Sequence, residues 1–336
     1  MRINIDDVIT EFGEHYVDGG QGLQNLQEVI MARTDFLSTY PLLPTEDTVV
    51  HKATASIGGV LQAFQKGFTL LSGNQVTFEP QPIPLHHFKI DELISPDDIM
   101  PSWLGFLASN NLDRSEWPIV RYITEKLIWP KFYEELETEE VFKGVKGTIT
   151  PGTALGAGNV MNGVRKLIRD GYAAGKTNVV TLGAIDREDA VGFCTYVENF
   201  VKAIPKRIRR HIKHVEMDSA LEELYREGSD AKYNTQYAQK PNNSTVRYNP
   251  NITVVGTDAM EGSDMIFATM HENKCNPVKA MSNQGRFDVQ RDKRDVAVMT
   301  DFWIGVGFWY LPYVYHNDQD LTDVVPDPEP EPEPEQ

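Results

Sequence analysis

The stretch from Asp186 to Gly228 constrains the fold most, because it predicts a helix, a stop, a strand and a second helix in unbroken succession. Apolar residues recur between Ala190 and Ile204 at positions i, i+3, i+4 and i+7, the spacing of a helix that buries one face. Asp186 is a candidate N-cap for this helix. Pro205 follows directly and is expected to end it.

The residues after this helix complete the pattern. His214–Asp218 predicts a short strand. Ser219–Glu222 has the Ser-x-x-Glu form of a capping box, in which the Ser and Glu side chains satisfy backbone N–H groups at a helix start. Gly228 is a plausible C′ residue for that second helix. The apolar stripe of the first helix must therefore pack against a larger body.

The composition excludes several classes of protein. The chain has 336 residues, enough for one large core or two modest ones, and its hydrophobic content of 40% is ordinary for a soluble protein. We find no apolar run long enough to span a membrane, and Asp6 and Asp7 stand where a secretory signal would be apolar. Cys194 and Cys275 cannot form a disulfide framework, which suits a reducing compartment.

The negative charge is concentrated near the C-terminal end of the sequence. The formal net charge is −17, and residues 318–336 hold eight acidic residues and no Lys or Arg, so the rest of the chain carries −9. Pro and Glu alternate from Pro328 to Glu335, which favours extended polyproline-like conformations over a packed core. This tail is interpreted as a solubilising segment, a docking peptide or a charged fringe. Net acidity argues against general affinity for nucleic acid.

A long projecting hairpin is predicted between Thr54 and Ile90. Ile57–Leu71 carries a single charge, Ser72-Gly73-Asn74 is a turn signal, and the residues after it alternate in polarity. Prolines at positions 80, 82 and 84 lack the N–H that a central strand needs. An isolated hairpin is marginal in water, so this one is expected to contact another chain, although an ordinary edge hairpin on its own domain stays open. The residues expected in that contact are Phe64, Lys66, Phe68, Leu71, Gly73, Val76 and Phe78.

A kinked helix is predicted from about Ser115, with Pro130 as the kink. Its apolar stripe before the kink is Val120, Ile123, Leu127 and Ile128. Five glutamates beyond the kink are expected to form a solvated face: Glu134, Glu135, Glu137, Glu139 and Glu140.

No catalytic signature is complete. Gly171–Thr177 has three residues between its glycines where a phosphate loop needs four, so it is interpreted as a helix C-cap leading into a turn. His271–Cys275 ends in Cys where a zincin helix needs a second His. His86-His87 has no clustered Cys or acidic partner. We therefore predict no catalytic, cofactor-binding or metal-binding residues and no enzymatic activity.

One basic cluster follows Pro205. The residues singled out in it are Lys206, Arg207, Arg209, Arg210 and Lys213. Three interpretations stay open: a solvated helix end near the negative pole of the helix dipole, a contact with acidic neighbouring subunits, and contact with packaged nucleic acid. Interleaved aromatic residues, which would favour single-strand binding, are absent.

The order of these elements resembles the major capsid protein of tailed bacteriophages, the Hong Kong 97-type capsid fold. The pieces that carry the resemblance are Ala203-Ile204-Pro205, Glu216-Met217-Asp218-Ser219, Met161–Ile168, the closing segments Ile266–Thr269 and Asp301–Gly307, and the kinked helix. With the N-terminal arm up to about residue 50 and the projecting hairpin, the resemblance covers roughly residues 1 to 316, in pattern more than in any rigid motif.

The resemblance implies an α+β fold with five parts. These are an N-terminal arm at 1–50, an extended loop (E-loop) at 51–90, a peripheral domain with a long spine helix at 91–160 and 296–316, an axial domain at 161–295, and an acidic Pro/Glu tail at 317–336 that is expected to be disordered.

The resemblance also implies the function and the partners. The chain would assemble with itself into hexamers and pentamers of an icosahedral shell around the double-stranded DNA of a tailed phage, in the host cytoplasm and then in the virion. The short N-terminal region implies a separate scaffolding protein. A portal protein and decoration or cargo proteins are further expected partners, with packaged DNA only in non-specific proximity and no membrane. Two alternatives remain: an encapsulin-type shell of a cellular nanocompartment, and a soluble enzyme whose site is assembled only by folding.

Overall fold

A computed structural model describes residues 35–56, 61–67, 77–110, 122–233, 244–279, 288–292 and 295–321. The α-helices of these ranges are α1 (Asp35–Ser38), α2 (Pro96–Asn110), α3 (Trp129–Glu135), α4 (Val164–Ala173), α5 (Ala190–Ala203), α6 (Lys206–Arg209) and α7 (Ser219–Tyr233). None of the helices described is both long enough and apolar enough to cross a membrane.

The described strands form two six-stranded sheets and one two-stranded ribbon. Sheet I contains β1 (Leu42–Thr45), β4 (His86–Ile94), β10 (Lys274–Lys279), β11 (Asp288–Asp292), β12 (Asp295–Ile304) and β13 (Gly307–Phe308). Sheet II has the order β5 (Asn178–Val180), β14 (Tyr315–Asn317), β9 (Phe267–Met270), β6 (Ile212–Asp218), β8 (Asn249–Thr257) and β7 (Thr245–Val246). The ribbon pairs β2 (Val49–Ser56) with β3 (Thr77–Pro84).

Helices α5 and α7 pack with sheet II around one core. The predicted stripe of α5 is buried there, with Phe193, Cys194, Val197, Phe200 and Val201 all at most 2% exposed. Val215 and Met217 of β6 and Leu221 and Tyr225 of α7 complete the centre of this core. The prediction of a helix, a strand and a second helix is confirmed, and Ile204 and Pro205 end α5 as expected.

Three local details of that prediction are wrong. Asp189, not Asp186, caps α5, because its carboxylate accepts a hydrogen bond from the N–H of Gly192. Glu222 does not close a capping box: its carboxylate accepts from the N–H of Gly256 and from the hydroxyl of Ser244. Gly228 lies inside α7, which runs on to Tyr233. The Asp189 cap is a local contact, whereas the other two differences involve elements distant in sequence: Glu222 binds the N–H of Gly256 in β8, and Gly228 packs against Ala190 at the start of α5.

A helical segment is present from Tyr122, where the kinked helix is predicted, and the predicted start near Ser115 lies outside the described residues. π-helical turns at Ile123–Ile128 and Leu136–Glu140 flank α3, and Pro130 lies in the first turn of α3. Proline is tolerated in the first turn of a helix, where its missing N–H would have no partner in a regular α-helix. Here the preceding π-helical turn also changes the spacing of the backbone hydrogen bonds. Ile123 and Ile128 are buried as predicted, whereas Leu127 is exposed.

The solvated acidic face is wrong for Glu140, which is 2% exposed. Its carboxylate accepts hydrogen bonds from the N–H groups of Gly158, Val160 and Met161 at 2.7, 3.0 and 3.0 Å. Burial raises the pKa of Glu140, and these backbone hydrogen bonds oppose that rise. The side chain thus connects the segment before α4 to the end of the helical segment that contains α3.

Other predictions have mixed outcomes. The turn after α4 is confirmed, since Ala174 ends the helix and Gly175 takes a φ of +66°, which favours glycine. Helix α2 was not predicted, because its composition gave no clear helical stripe. The sheets also cross the predicted domain limits. Strands β10 and β11 lie in the predicted axial domain (161–295) but belong to sheet I, together with β12. Strand β14 begins in the predicted peripheral segment (296–316) but belongs to sheet II. The assignment of axial and peripheral domains stays a prediction.

Candidate subunit-contact surfaces

The β2–β3 ribbon, called the arm from here on, is the first candidate surface. Its strands pair antiparallel from Val49 with Pro84 to Ser56 with Thr77. Residues 57–76 connect them, and 61–67 of this connection are described. The predicted hairpin exists, but its pairing differs: Phe78 lies opposite Ala55, not opposite a residue of 57–71. The predicted close turn at 72–74 lies outside the described residues.

The prolines of β3 decide which edge of the arm can pair. Pro80, Pro82 and Pro84 alternate along the strand, so their backbone nitrogens face the same side. That side is the one away from β2, because a proline nitrogen cannot donate to the β2–β3 ladder. The outer edge of β3 therefore offers carbonyl groups without N–H donors at these positions, and another strand cannot pair there in full.

The base of the arm is fixed to the body by close packing. Ile83 is 2% exposed, and a Cβ on Gly307 would stand 2.8 Å from its side chain. A Cβ on Gly305 would stand 2.6 Å from the carbonyl oxygen of Pro84. The ammonium of Lys52 lies 4.6 Å from the centroid of the Trp309 ring. Glycine at 305 and 307 is what permits this approach, a role that the sequence alone did not indicate.

The tip of the arm shows large apolar side chains to solvent. Leu61 is 97% exposed and Phe64 is 91% exposed, while Lys66 is also exposed. Of the other predicted contact residues, Phe68, Leu71, Gly73 and Val76 lie outside the described residues, and Phe78 is described by its place in β3. An anchored base with an exposed apolar tip is the arrangement expected of an arm that is buried against a second molecule.

The second candidate surface is the basic cluster, which spans α6 and the start of β6. Arg209 donates to the carbonyl oxygen of Val201 in the last turn of α5, at 3.3 Å. Arg209 therefore fits the first interpretation, in which a basic side chain binds the carbonyl groups at the end of a helix. Lys206, Arg207, Arg210 and Lys213 are exposed, and within the described part of the chain they form no ion pair. We call these four residues the basic surface.

A shallow groove adjoins the basic surface. It has a volume of about 420 Å³ and is lined by Arg210, Ile212, Lys213, His214, Asn251 and Thr253. Burial lowers the pKa of His214, and nearby Glu216 opposes this effect. The cationic side chains of Arg210 and Lys213, with the Thr253 hydroxyl and the Asn251 amide beside them, suit an anionic ligand that accepts hydrogen bonds.

A buried polar junction joins the sheets and was not predicted. Lys274 of β10 pairs with Glu216 of β6, and both side chains are at most 4% exposed. The ammonium of Lys274 also donates to the Thr39 hydroxyl at 3.1 Å and lies 4.6 Å from the centroid of Tyr40. One side chain thus connects sheet I, sheet II and the segment after α1. The sequence carries no local signal for a contact between residues this far apart.

The cysteines and the potential metal ligands form no reactive site in the part of the chain that the structure covers. Burial raises the pKa of Cys194 to about 11 and that of Cys275 to about 12, so both thiols stay protonated. Among the described His, Cys, Asp and Glu side chains, no group of three or more could hold a metal ion.

Comparison with known proteins identifies the fold. No protein-family model matches the chain, and no curated protein sequence matches it. A chain of the satellite phage P4 procapsid, whose structure includes the size determination (Sid) protein, superposes with a TM-score of 0.54 at 15% identity, covering 88% of this chain and 89% of that one. The capsid of a native GTA particle gives a TM-score of 0.50 at 13% identity, covering 85% and 89%.

These identities are low, so the likeness establishes a shared fold. The prediction of an α+β fold of the Hong Kong 97 capsid type is confirmed.

Proposed function

We propose that this chain is the major capsid protein of a tailed phage and assembles with itself into a closed icosahedral shell. The observation that carries the proposal is the superposition on the P4 procapsid chain, which extends over 88% of the present chain. The shared fold thus extends over nearly all of the sequence considered. A structural role in a virion is the function that this fold supports best.

The arm supports the proposal independently of the comparison. Its base is held by Ile83 against Gly307, whereas Leu61 and Phe64 at its tip lie in solvent. Burial of apolar surface contributes about 25 cal/mol per Å², and a closed shell repeats each contact many times. The proline-rich outer edge of β3 would limit unwanted strand pairing before assembly.

The domain roles form part of this proposal. Sheet II with α5 and α7 would form the axial domain around the hexamer and pentamer axes. Sheet I with the helical segment that contains α3 would form the peripheral domain. A scaffolding protein and a portal protein are the partners proposed for such a shell, and the similar chain of P4 was itself solved in a procapsid that includes the size determination (Sid) protein.

Assembly is the first test. The protein is expressed alone and with candidate scaffolding proteins, and sedimentation velocity is combined with electron microscopy. We expect closed particles of megadalton mass. A chain that stays monomeric or dimeric under all these conditions would contradict the proposal. Closed shells that enclose a co-purifying enzyme in place of DNA would favour the nanocompartment.

The arm provides the second test. Residues 53–80 are replaced by Asn-Gly, so that the pair Lys52 and Gln81 is closed by a two-residue hairpin turn. The base of the arm is kept, so the subunit should fold with an unchanged circular dichroism spectrum but should not form stable shells.

A gentler variant addresses the tip alone. Leu61→Ser with Phe64→Ser should weaken assembly, whereas the matched control Gln62→Ser with Gln65→Ser in the same loop should assemble normally. Equal assembly of both variants would show that the apolar tip is not a subunit contact.

A further inference from the structure

The basic surface differs from the other cations of sheet II and its neighbours in lacking partners. The other cations have partners. Arg187 pairs with Asp264 at 2.7 Å, and Lys166 pairs with Asp170. Arg169 donates to the carbonyl oxygen of Asp320. Lys206, Arg207, Arg210 and Lys213 stand together at the Ile212 end of β6, without an acidic partner in the described ranges.

The same chain contains a segment of complementary charge. Residues 322–336 hold six acidic residues and no Lys or Arg, and Pro alternates with Glu from 328 to 335. Proline fixes φ near the polyproline II value, so this segment loses less conformational freedom on binding than an ordinary peptide of the same length. We propose that residues 322–336 dock on the basic surface of their own subunit and place carboxylates along the groove between Arg210, Lys213 and Thr253.

The segment is long enough for this contact. β14 runs parallel to β6 through β9, with Tyr315 and Val215 both paired to Ala268, so the chain leaves sheet II at the Asp218 end of β6. The basic surface lies at the Ile212 end. The path is about 20 Å along β6 and about 10 Å across two strand spacings. Fifteen residues in polyproline II geometry span about 46 Å.

Charge and tethering favour this segment over nucleic acid as the occupant. The chain outside residues 322–336 carries a net charge of −11, so a long free polyanion is repelled as it approaches, whereas covalent attachment already holds the short peptide near the basic surface. Tethering also gives a local concentration in the millimolar range. Docking would cover the basic surface and would lower its affinity for polyanions.

Carbodiimide cross-linking tests the contact in the full-length protein. The reagent joins a carboxylate to a lysine amine only when the two are in contact, and mass spectrometry locates the link. We expect links from Glu329–Glu335 to Lys206 and Lys213. The variant Arg207→Gln with Arg210→Gln keeps both reporter lysines and should reduce these links at least fivefold. The matched control Lys89→Gln with Lys131→Gln makes the same charge change elsewhere and should leave them unchanged.

Two results would overturn the proposal. One is a set of links spread evenly over exposed lysines or insensitive to Arg207→Gln with Arg210→Gln. The other comes from subunits assembled from an equal mixture of ¹⁵N-labelled and unlabelled protein: links within one subunit never join a labelled to an unlabelled peptide, whereas mixed-label pairs in about half of the links would show that the tail binds a neighbouring copy.

Oligonucleotide binding gives a second readout. In the full-length variant with Glu329, Glu331, Glu333 and Glu335 all changed to Gln, affinity for a 20-nucleotide oligo-dT should rise at least fivefold. Adding Arg207→Gln and Arg210→Gln should abolish that gain. Unchanged affinity in the Gln variant would show that the tail does not cover the basic surface.

Discussion

Gly228 of α7 lies directly against Ala190 at the start of α5. A Cβ at position 228 would stand 1.9 Å from the carbonyl oxygen of Ala190 and 3.1 Å from the Cβ of Cys194. Because the nearest obstacle is backbone, no side-chain rotation can relieve the clash. The glycine therefore sets how closely the two helices approach on sheet II.

Gly228→Ala should destabilise the fold by about 1–3 kcal/mol, the range of overpacking in a tight core. Gly105 in α2 is the matched control, since nothing lies within 4 Å of a Cβ there. Gly105→Ala should be neutral or stabilising by up to about 1 kcal/mol, because alanine has the higher helix propensity. Denaturant unfolding of the two variants measures the difference, and equal stabilities would contradict the close approach.

Glu140→Gln should destabilise the segment before α4. The two carboxylate oxygens accept hydrogen bonds from three backbone N–H groups. In glutamine one of these oxygens is replaced by an NH₂ group, which cannot accept a hydrogen bond from a backbone N–H. We expect a loss of about 1–3 kcal/mol, the penalty for buried donors left unsatisfied. Glu139→Gln, at the exposed neighbouring position, should change stability by less than about 0.5 kcal/mol. Amide hydrogen exchange at Gly158–Met161 should accelerate in the first variant only.

Lys274→Met should be strongly destabilising, by about 3–5 kcal/mol, because it leaves the Glu216 carboxylate buried without its partner. Adding Glu216→Leu should recover much of that loss, since a buried ion pair can often be replaced by apolar side chains of similar size. The exposed pair Lys131 and Glu134, changed in the same way, should show effects below about 1 kcal/mol. A double-mutant cycle in urea gives the coupling, and a coupling near zero at Lys274 and Glu216 would contradict the junction.

His86 should make stability fall on acidification. Burial, assisted by nearby Lys146, lowers the pKa of His86 to about 4, and its Nε2 accepts the N–H of Asn162 at 3.4 Å. Between pH 6.5 and 4 the unfolded chain binds the proton that the folded chain refuses, so the free energy of unfolding decreases as the pH falls through this window. The contribution is up to about 3 kcal/mol.

The variant His86→Gln isolates this contribution. Its unfolding free energy should depend less steeply on pH between 4 and 6.5 than that of the unmodified protein, while His316, whose pKa is also lowered by burial, maintains part of the slope. Identical slopes in both proteins would exclude His86 as the source.

Removal of the residues after Val325 should shift the melting temperature by less than about 2 °C in 0.5 M NaCl. The removed segment has no apolar side chain other than proline to add to a core, and this salt concentration screens the docking proposed above. Differential scanning calorimetry measures the shift. A loss of several degrees at high salt would mean that the segment packs against the body through apolar contacts.

The sequence determined the parts of the fold whose cause is local. The apolar stripe of α5 can be predicted from its spacing, the end of that helix from Pro205, and the edge position of β3 from its alternating prolines. The order of α5, β6 and α7 was enough to indicate the capsid-type fold. The sequence also singled out Phe64 and the basic residues after Pro205 as contact candidates, and their contacts stay predictions.

The tertiary structure decided what depends on a partner distant in sequence. Glu140 stands next to the exposed Glu139 in the sequence, but it is buried because residues 158–161 offer it three N–H groups. Gly228 resembles a helix end and is instead a contact with Ala190. Lys274 and Glu216 are 58 residues apart, and only the meeting of sheets I and II makes them a pair. Helix and strand periodicity arise from backbone geometry within a few residues, whereas burial and pairing depend on which surfaces the folded chain brings together.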